Sequence, residues 1–101
     1  MSAQIKTIIA GASGAMGRTL LDLSAADSRF LLVGATDRHD SPLVGKDLSE
    51  LVSPGVPSVA IGDNAAIVAK TGDVFIDFTS PKATLAALAA LKSTSVKVVI
   101  I

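Results

Sequence analysis

Ala10-Gly11-Ala12-Ser13-Gly14-Ala15-Met16-Gly17-Arg18 is the stretch on which the fold turns. Ahead of it, Ile5–Ala10 is a short run rich in β-branched residues that reads as a strand. Behind it, Met16, Leu20 and Leu23 recur at i, i+4 and i+7, the spacing of one helical stripe, and the helix should stop near Asp27 and Ser28. A second apolar run over 30–36 is bounded by Asp37. The first 37 residues therefore read strand, glycine-rich turn, helix, strand.

That order has a chemical use. A diphosphate needs backbone that can be approached closely and a helix N-terminus offering unpaired N–H groups with partial positive charge. Gly11 would let the chain turn as it leaves the strand, Gly14 would leave room for phosphate, and Gly17 would let the helix press against the sheet. The spacing departs from G-x-G-x-x-G: registering on Gly14 and Gly17 puts Ala12 where the first glycine should stand. On the glycines alone, a tight turn that binds nothing stays open. Context argues further, because Asp37 ends the next strand about 20 residues on, where a carboxylate can hydrogen-bond the adenosine ribose hydroxyls of a dinucleotide. Arg38 follows at once, and its guanidinium could pair with a ribose 2′-phosphate that Asp37 would repel. The pair implies use of NADH or NADPH.

Downstream, 39–58 holds Pro42, Gly45, Pro54, Gly55 and Pro57, with one short apolar patch at 48–52, and reads as a long connection containing one helical turn. A short strand is expected at 58–61. A small helix should run from an Asp63 cap to Lys70 and stop at Gly72. Residues 73–78 form a clear strand, and Ser80 then caps a helix with Pro81 just inside its start. Leu85, Leu88 and Leu91 are the expected inward stripe of that helix, with Lys92 favouring its C-terminal dipole, and 96–101 is a final strand. Alternating strands and helices imply a parallel sheet with right-handed crossovers. The expected fold is a Rossmann-like, doubly wound, three-layer α/β/α domain filling 1–101.

Composition narrows the function. Half of the 101 residues are apolar, with three Phe and neither Trp nor Tyr, so the core must be Ala, Val, Ile and Leu, the usual filling of a covered parallel sheet. Nine basic and nine acidic residues leave no net charge, which argues against nucleic acid and an anionic membrane surface as partners. Without cysteine there is no disulfide, thiolate metal site or cysteine nucleophile. No apolar run approaches the roughly 18 residues of a spanning helix, and a cytoplasmic location is expected.

At these residues the sequence resembles the 4-hydroxy-tetrahydrodipicolinate reductase (dihydrodipicolinate reductase) family of lysine and diaminopimelate synthesis. The family's Ala-Gly-x-x-Gly-x-Met-Gly-Arg turn fits Ala10-Gly11 through Met16-Gly17-Arg18. Its Asp-Phe-Thr segment fits Asp77-Phe78-Thr79, followed by Pro81, and its acidic-Arg pair fits Asp37-Arg38. The resemblance implies that Gly11, Ala12, Ser13, Gly14, Ala15, Met16 and Gly17 cradle the dinucleotide, that Asp37 and Arg38 read its adenosine ribose, and that Phe78 and Thr79 lie near the nicotinamide. One departure is Ala15, where many members carry a basic residue; the diphosphate is left to backbone amides.

Two titratable residues have plainer readings. Asp77 is expected to anchor backbone N–H groups of the turn after its strand rather than to act in catalysis, and His39, within an Asp-Arg-His-Asp run, to be a solvated loop residue. No catalytic residue and no metal ligand is expected among the 101. By the resemblance, the nicotinamide-contacting Gly-Thr-Thr-Gly turn and the domain that binds substrate and donates a proton lie beyond Ile101. The chain alone is then expected to bind dinucleotide weakly at most and to lack reductase activity. Full-length members are tetrameric through that domain, and the 96–101 edge invites self-association. Two other readings stay open, the cofactor domain of a different NAD(P)-dependent dehydrogenase and a non-catalytic dinucleotide-binding module.

Overall fold

The computed structural model describes residues 4–52, 58–65, 72–92 and 94–100. Four strands, β1 (Ile5–Ala10), β2 (Phe30–Thr36), β3 (Val74–Asp77) and β4 (Lys97–Ile100), form one sheet in the order β2-β1-β3-β4. Every pairing is parallel, as the alternation of elements requires. Between Thr7 and Ile8 the register against β2 shifts, so Val33 is the extra residue of a bulge before Gly34.

Helices cover both faces. Along β1 successive side chains alternate, Ile9 entering one core and Ile8 and Ala10 the other. The first core gathers Leu21 of α1 (Ala15–Ala26) with Leu32, Ala35, Leu48, Val52 and Ile61. The second holds Phe75 of β3 and Leu91 of α2 (Pro81–Leu91), with Ala87 packed against it. This is the Rossmann-like α/β arrangement, and its strand order reverses direction at β1, between β2 and β3.

The inward stripes differ from the leucine spacing. On α1 the buried residues are Gly17, Leu21 and Ser24, while Met16 and Leu23 are 53% and 62% exposed and Leu20 is half-buried. The phase of the helix is set by Gly17, which sits against the Gly11 carbonyl and turns the neighbouring 21 and 24 positions inward. On α2 only Leu91 of the expected stripe is buried, and Leu85 and Leu88 lie outward. Ala87 and Leu91 make the inner face because alanine fits a helix resting close on the sheet.

The connection after β2 is ordered by its own polar groups. The one helical turn expected in this connection is a 3-10 turn, Leu48–Glu50, within the apolar patch, and Asp47 and Glu50 close a capping box at its start. The expected strand at 58–61 is not formed. Ala60 instead makes one antiparallel bridge to Asp47 and Gly62 one parallel bridge to Thr36, at the outer edge of β2. Ala65 is helical, and the rest of the helix expected to Lys70 lies outside the described residues, as do 53–57 and Ile101. Strands β3 and β4 are each shorter than expected, starting at Val74 and Lys97. Ser80 accepts the Ala83 N–H at 3.2 Å with Pro81 in the first turn, as the sequence requires.

Candidate dinucleotide site

The glycine turn is built by three different constraints. Gly11 has φ +85°, a left-handed conformation that favours glycine, and a Cβ there would also lie 3.1 Å from Thr79 Cγ2. At Gly17 a Cβ would run into the Gly11 carbonyl, so a bare Cα is what brings α1 against the turn. Gly14 is bound by neither. Its φ −78° and ψ 160° suit any residue, and the nearest atom to an added Cβ is the Gly11 oxygen at an ordinary 3.5 Å. Nothing within the described chain requires glycine at 14.

Gly14 is also the N-cap of α1, without a side-chain cap. The Gly14 N–H donates to Gly11 O and the Arg18 N–H to Gly14 O, while the N–H groups of Ala15, Met16 and Gly17 meet no acceptor among the described residues. An uncapped helix start of this kind is suited to an anion, and it lacks an acidic residue in its first turn.

This helix start opens on a cleft of about 780 Å³ at the C-terminal ends of β1, β2 and β3. Gly11, Ser13, Gly14, Ala15, Met16, Asp37, Arg38, Phe78 and Thr79 all line it. Ala12 and Gly17, expected as contacts, do not. Ala12 turns fully into the core and donates its N–H to Thr36 O, and Gly17 is buried under the turn, so both shape the site from behind. Sequence reasoning passed over Thr36, Asp63, Asn64 and Ser80 on the cleft wall. Gly62 brings Asp63 and Asn64 there by accepting the Asp37 N–H and donating to Ala35, a tertiary pairing with no local signature.

Asp37 ties the second strand to the glycine turn. Its Oδ2 accepts the Ser13 N–H at 3.2 Å and the Ser41 hydroxyl at 2.6 Å, and its Oδ1 accepts the Arg38 N–H at 3.0 Å. Burial opposes the charge of Asp37, but the bonds from Ser41, Ser13 and Arg38 outweigh it and hold the carboxyl below its ordinary range. The Arg38 side chain is exposed and lies 3.4 Å from Asp40 Oδ1. His39 is exposed on the same wall, as a solvated loop residue should be.

At the other end of the cleft, Asp77 anchors its turn. The buried carboxylate takes the Thr79 N–H at 2.8 Å and the Thr79 hydroxyl at 2.6 Å on Oδ1. Its Oδ2 is buried and meets no donor among the described residues. The anchored turn brings Phe78 and Thr79 over Gly11, so the second and first βα turns pack on one another. Among the described residues there is no group of side chains arranged to hold a metal ion, and no helix long and apolar enough to cross a membrane.

An anion-ready helix start, a bare Cα beside it and a pinned acidic residue at the end of the neighbouring strand fit a dinucleotide. Comparison with known proteins agrees. A family model described as the N-terminus of dihydrodipicolinate reductase matches residues 5–101. A 4-hydroxy-tetrahydrodipicolinate reductase of Burkholderia ambifaria is 43% identical over 96 residues, which cover 95% of this chain and 36% of that protein. One from Burkholderia lata is 42% identical over the same length. The chain thus spans about a third of the length of the curated relatives it matches, and by the family model across its sheet and cleft it belongs to the dihydrodipicolinate reductase family, as the N-terminal domain.

Proposed function

We propose that this chain is the nicotinamide-dinucleotide-binding domain of a 4-hydroxy-tetrahydrodipicolinate reductase, taking NADH or NADPH. In this reading the diphosphate lies against the N–H groups of Ala15 and Met16, over the space that Gly14 leaves open. Asp37 accepts from the adenosine ribose, Arg38 meets a 2′-phosphate when one is present, and Phe78 and Thr79 flank the nicotinamide end. The observation that carries it is Gly14, whose missing side chain neither its backbone angles nor its neighbours explain. A ligand pressed against the helix start does explain it.

When bound, the dinucleotide supplies a hydride. The residues described here bind and orient it. Transfer also needs a substrate fixed near contact distance and a proton donor. In the curated relatives both functions would fall to the roughly two thirds that these residues do not cover, and the 101 residues alone are expected to show no turnover of substrate.

Gly14→Val tests the reading cleanly, because the fold tolerates a side chain there and a ligand would not. The expected result by calorimetric titration is wild-type binding of NADH or NADPH and a loss of at least about tenfold in the variant, which still unfolds cooperatively but at a thermal midpoint a few degrees lower, since valine caps α1 less well than glycine. Undiminished binding by a folded Gly14→Val protein would overturn it.

A further inference from the structure

Ser41 lies in an exposed run, with Arg38, His39, Asp40 and Pro42 all open to solvent, yet it is itself buried, 6% exposed. Its N–H donates to Arg38 O at 2.9 Å, closing a turn that folds the side chain back toward β2. The hydroxyl has one proton and two acceptor positions. The Leu43 N–H occupies one of the latter at 3.2 Å, and the proton goes to Asp37 Oδ2 at 2.6 Å. Because Leu43 approaches from the acceptor side, the direction of the hydroxyl proton is set by the chain.

The effect falls on Asp37. With Ser41 and Ser13 both donating to Oδ2, that oxygen is filled, whereas Oδ1 takes only the Arg38 N–H and keeps acceptor capacity. Three donors on two oxygens fix both the position and the plane of the carboxylate. A fixed carboxylate presents an acceptor to a ribose hydroxyl and cannot swing aside for a phosphate.

We propose that Ser41 is a positioning residue for dinucleotide choice: by pinning Asp37 it favours a free adenosine 2′-hydroxyl over a 2′-phosphate. The proposal rests on the reading of Asp37 as the ribose-binding carboxylate. Without the Ser41 hydroxyl, Asp37 loses its shortest bond and is left to Ser13 and the Arg38 N–H, which hold it less firmly and let it rotate toward solvent. The loss of a short bond to a charged acceptor then weakens NADH binding and relaxes the repulsion of NADPH.

The test is calorimetric titration of NADH and NADPH with the wild-type protein, Ser41→Ala, Asp37→Ala and the double variant. The ratio of the Kd for NADPH to that for NADH is expected to fall about tenfold in Ser41→Ala. It should fall no further when Ser41→Ala is added to Asp37→Ala, because Ser41 acts through that carboxylate. A purely structural role would weaken both dinucleotides alike and leave the ratio untouched, and that result overturns the proposal. So does a change in ratio that persists in the absence of Asp37. If the wild-type protein binds neither dinucleotide, the underlying reading of the domain falls, an outcome distinct from an unchanged ratio.

Discussion

Asp37 is the residue where structure and ligand choice meet, and its titration should be visible in stability. Its folded carboxyl titrates below the ordinary value because Ser41, Ser13 and Arg38 donate to the charged form more than burial disfavours it. A depressed folded pKa contributes stability that is fully present above the unfolded value, near 3.8, and is lost as pH falls through the folded one. Urea midpoints measured from about pH 5 down to about pH 2 should therefore drop more steeply for the wild-type protein than for Asp37→Asn. Parallel curves would show that the three bonds contribute nothing to folding. Asp37 itself was legible in the sequence, since an acidic residue closing the second strand of such a unit has a known use. Ser41 was not. A serine four residues further along a proline- and glycine-containing stretch gives no local sign that its hydroxyl reaches back, and the turn that carries it closes through backbone bonds. The turn at Gly11 was legible too, through its positive φ, whereas the close approach at Gly17 is to the Gly11 carbonyl and not to the sheet.

At the scale of elements, order and type were legible and helix phase was not. The turn signals at Gly11, Asp37 and Ser80-Pro81 placed β1, α1, β2, β3, α2 and β4 within a residue or two of where they stand. Apolar spacing then misjudged both helices, for one reason. A helix that lies very close to a sheet turns its smallest residues inward, and counting leucines ignores them. On α1 the inward residues are Gly17, Leu21 and Ser24, so only one of the three looks apolar. On α2, Pro-Lys-Ala-Thr-Leu-Ala-Ala-Leu-Ala-Ala-Leu is apolar on nearly every side, and periodicity has little contrast to read. The difference has a measurable consequence. Leu21 is fully buried and Leu23 is 62% exposed, although the leucine stripe favours Leu23. By denaturant unfolding, Leu21→Ala should cost about 2–5 kcal/mol, whereas Leu23→Ala should stay within about 0.5 kcal/mol. Equal costs would mean that α1 is rotated from the phase Gly17 sets.

Across the whole molecule, the two edges of the sheet are finished differently. Beyond β2 the chain returns to its own edge, where the Gly62 bridge to Thr36 and the bond from the Asp37 N–H to Gly62 O occupy part of the ladder. That covering also completes the cleft, because it carries Asp63 and Asn64 to its wall. Beyond β4 no described residue pairs, and Val99 and Ile100 are 46% and 55% exposed along it. An apolar strand with one free row of N–H and C=O groups is a template for another strand. Lys97 at its start is the one charge within β4, and it lies at the end away from the exposed pair. The 101-residue chain is accordingly expected to self-associate through β4, with a sedimentation-average mass that rises with concentration. Val99→Lys places a charge on the exposed stretch and should return the chain toward monomer without altering dinucleotide affinity, since the cleft opens at the ends of β1, β2 and β3 and Val99 is not on its wall. A mass independent of concentration in the wild-type chain would mean that the free edge is too short to pair. Association that survives Val99→Lys would place the contact elsewhere, with the outward Leu85 and Leu88 of α2 the next surface to examine.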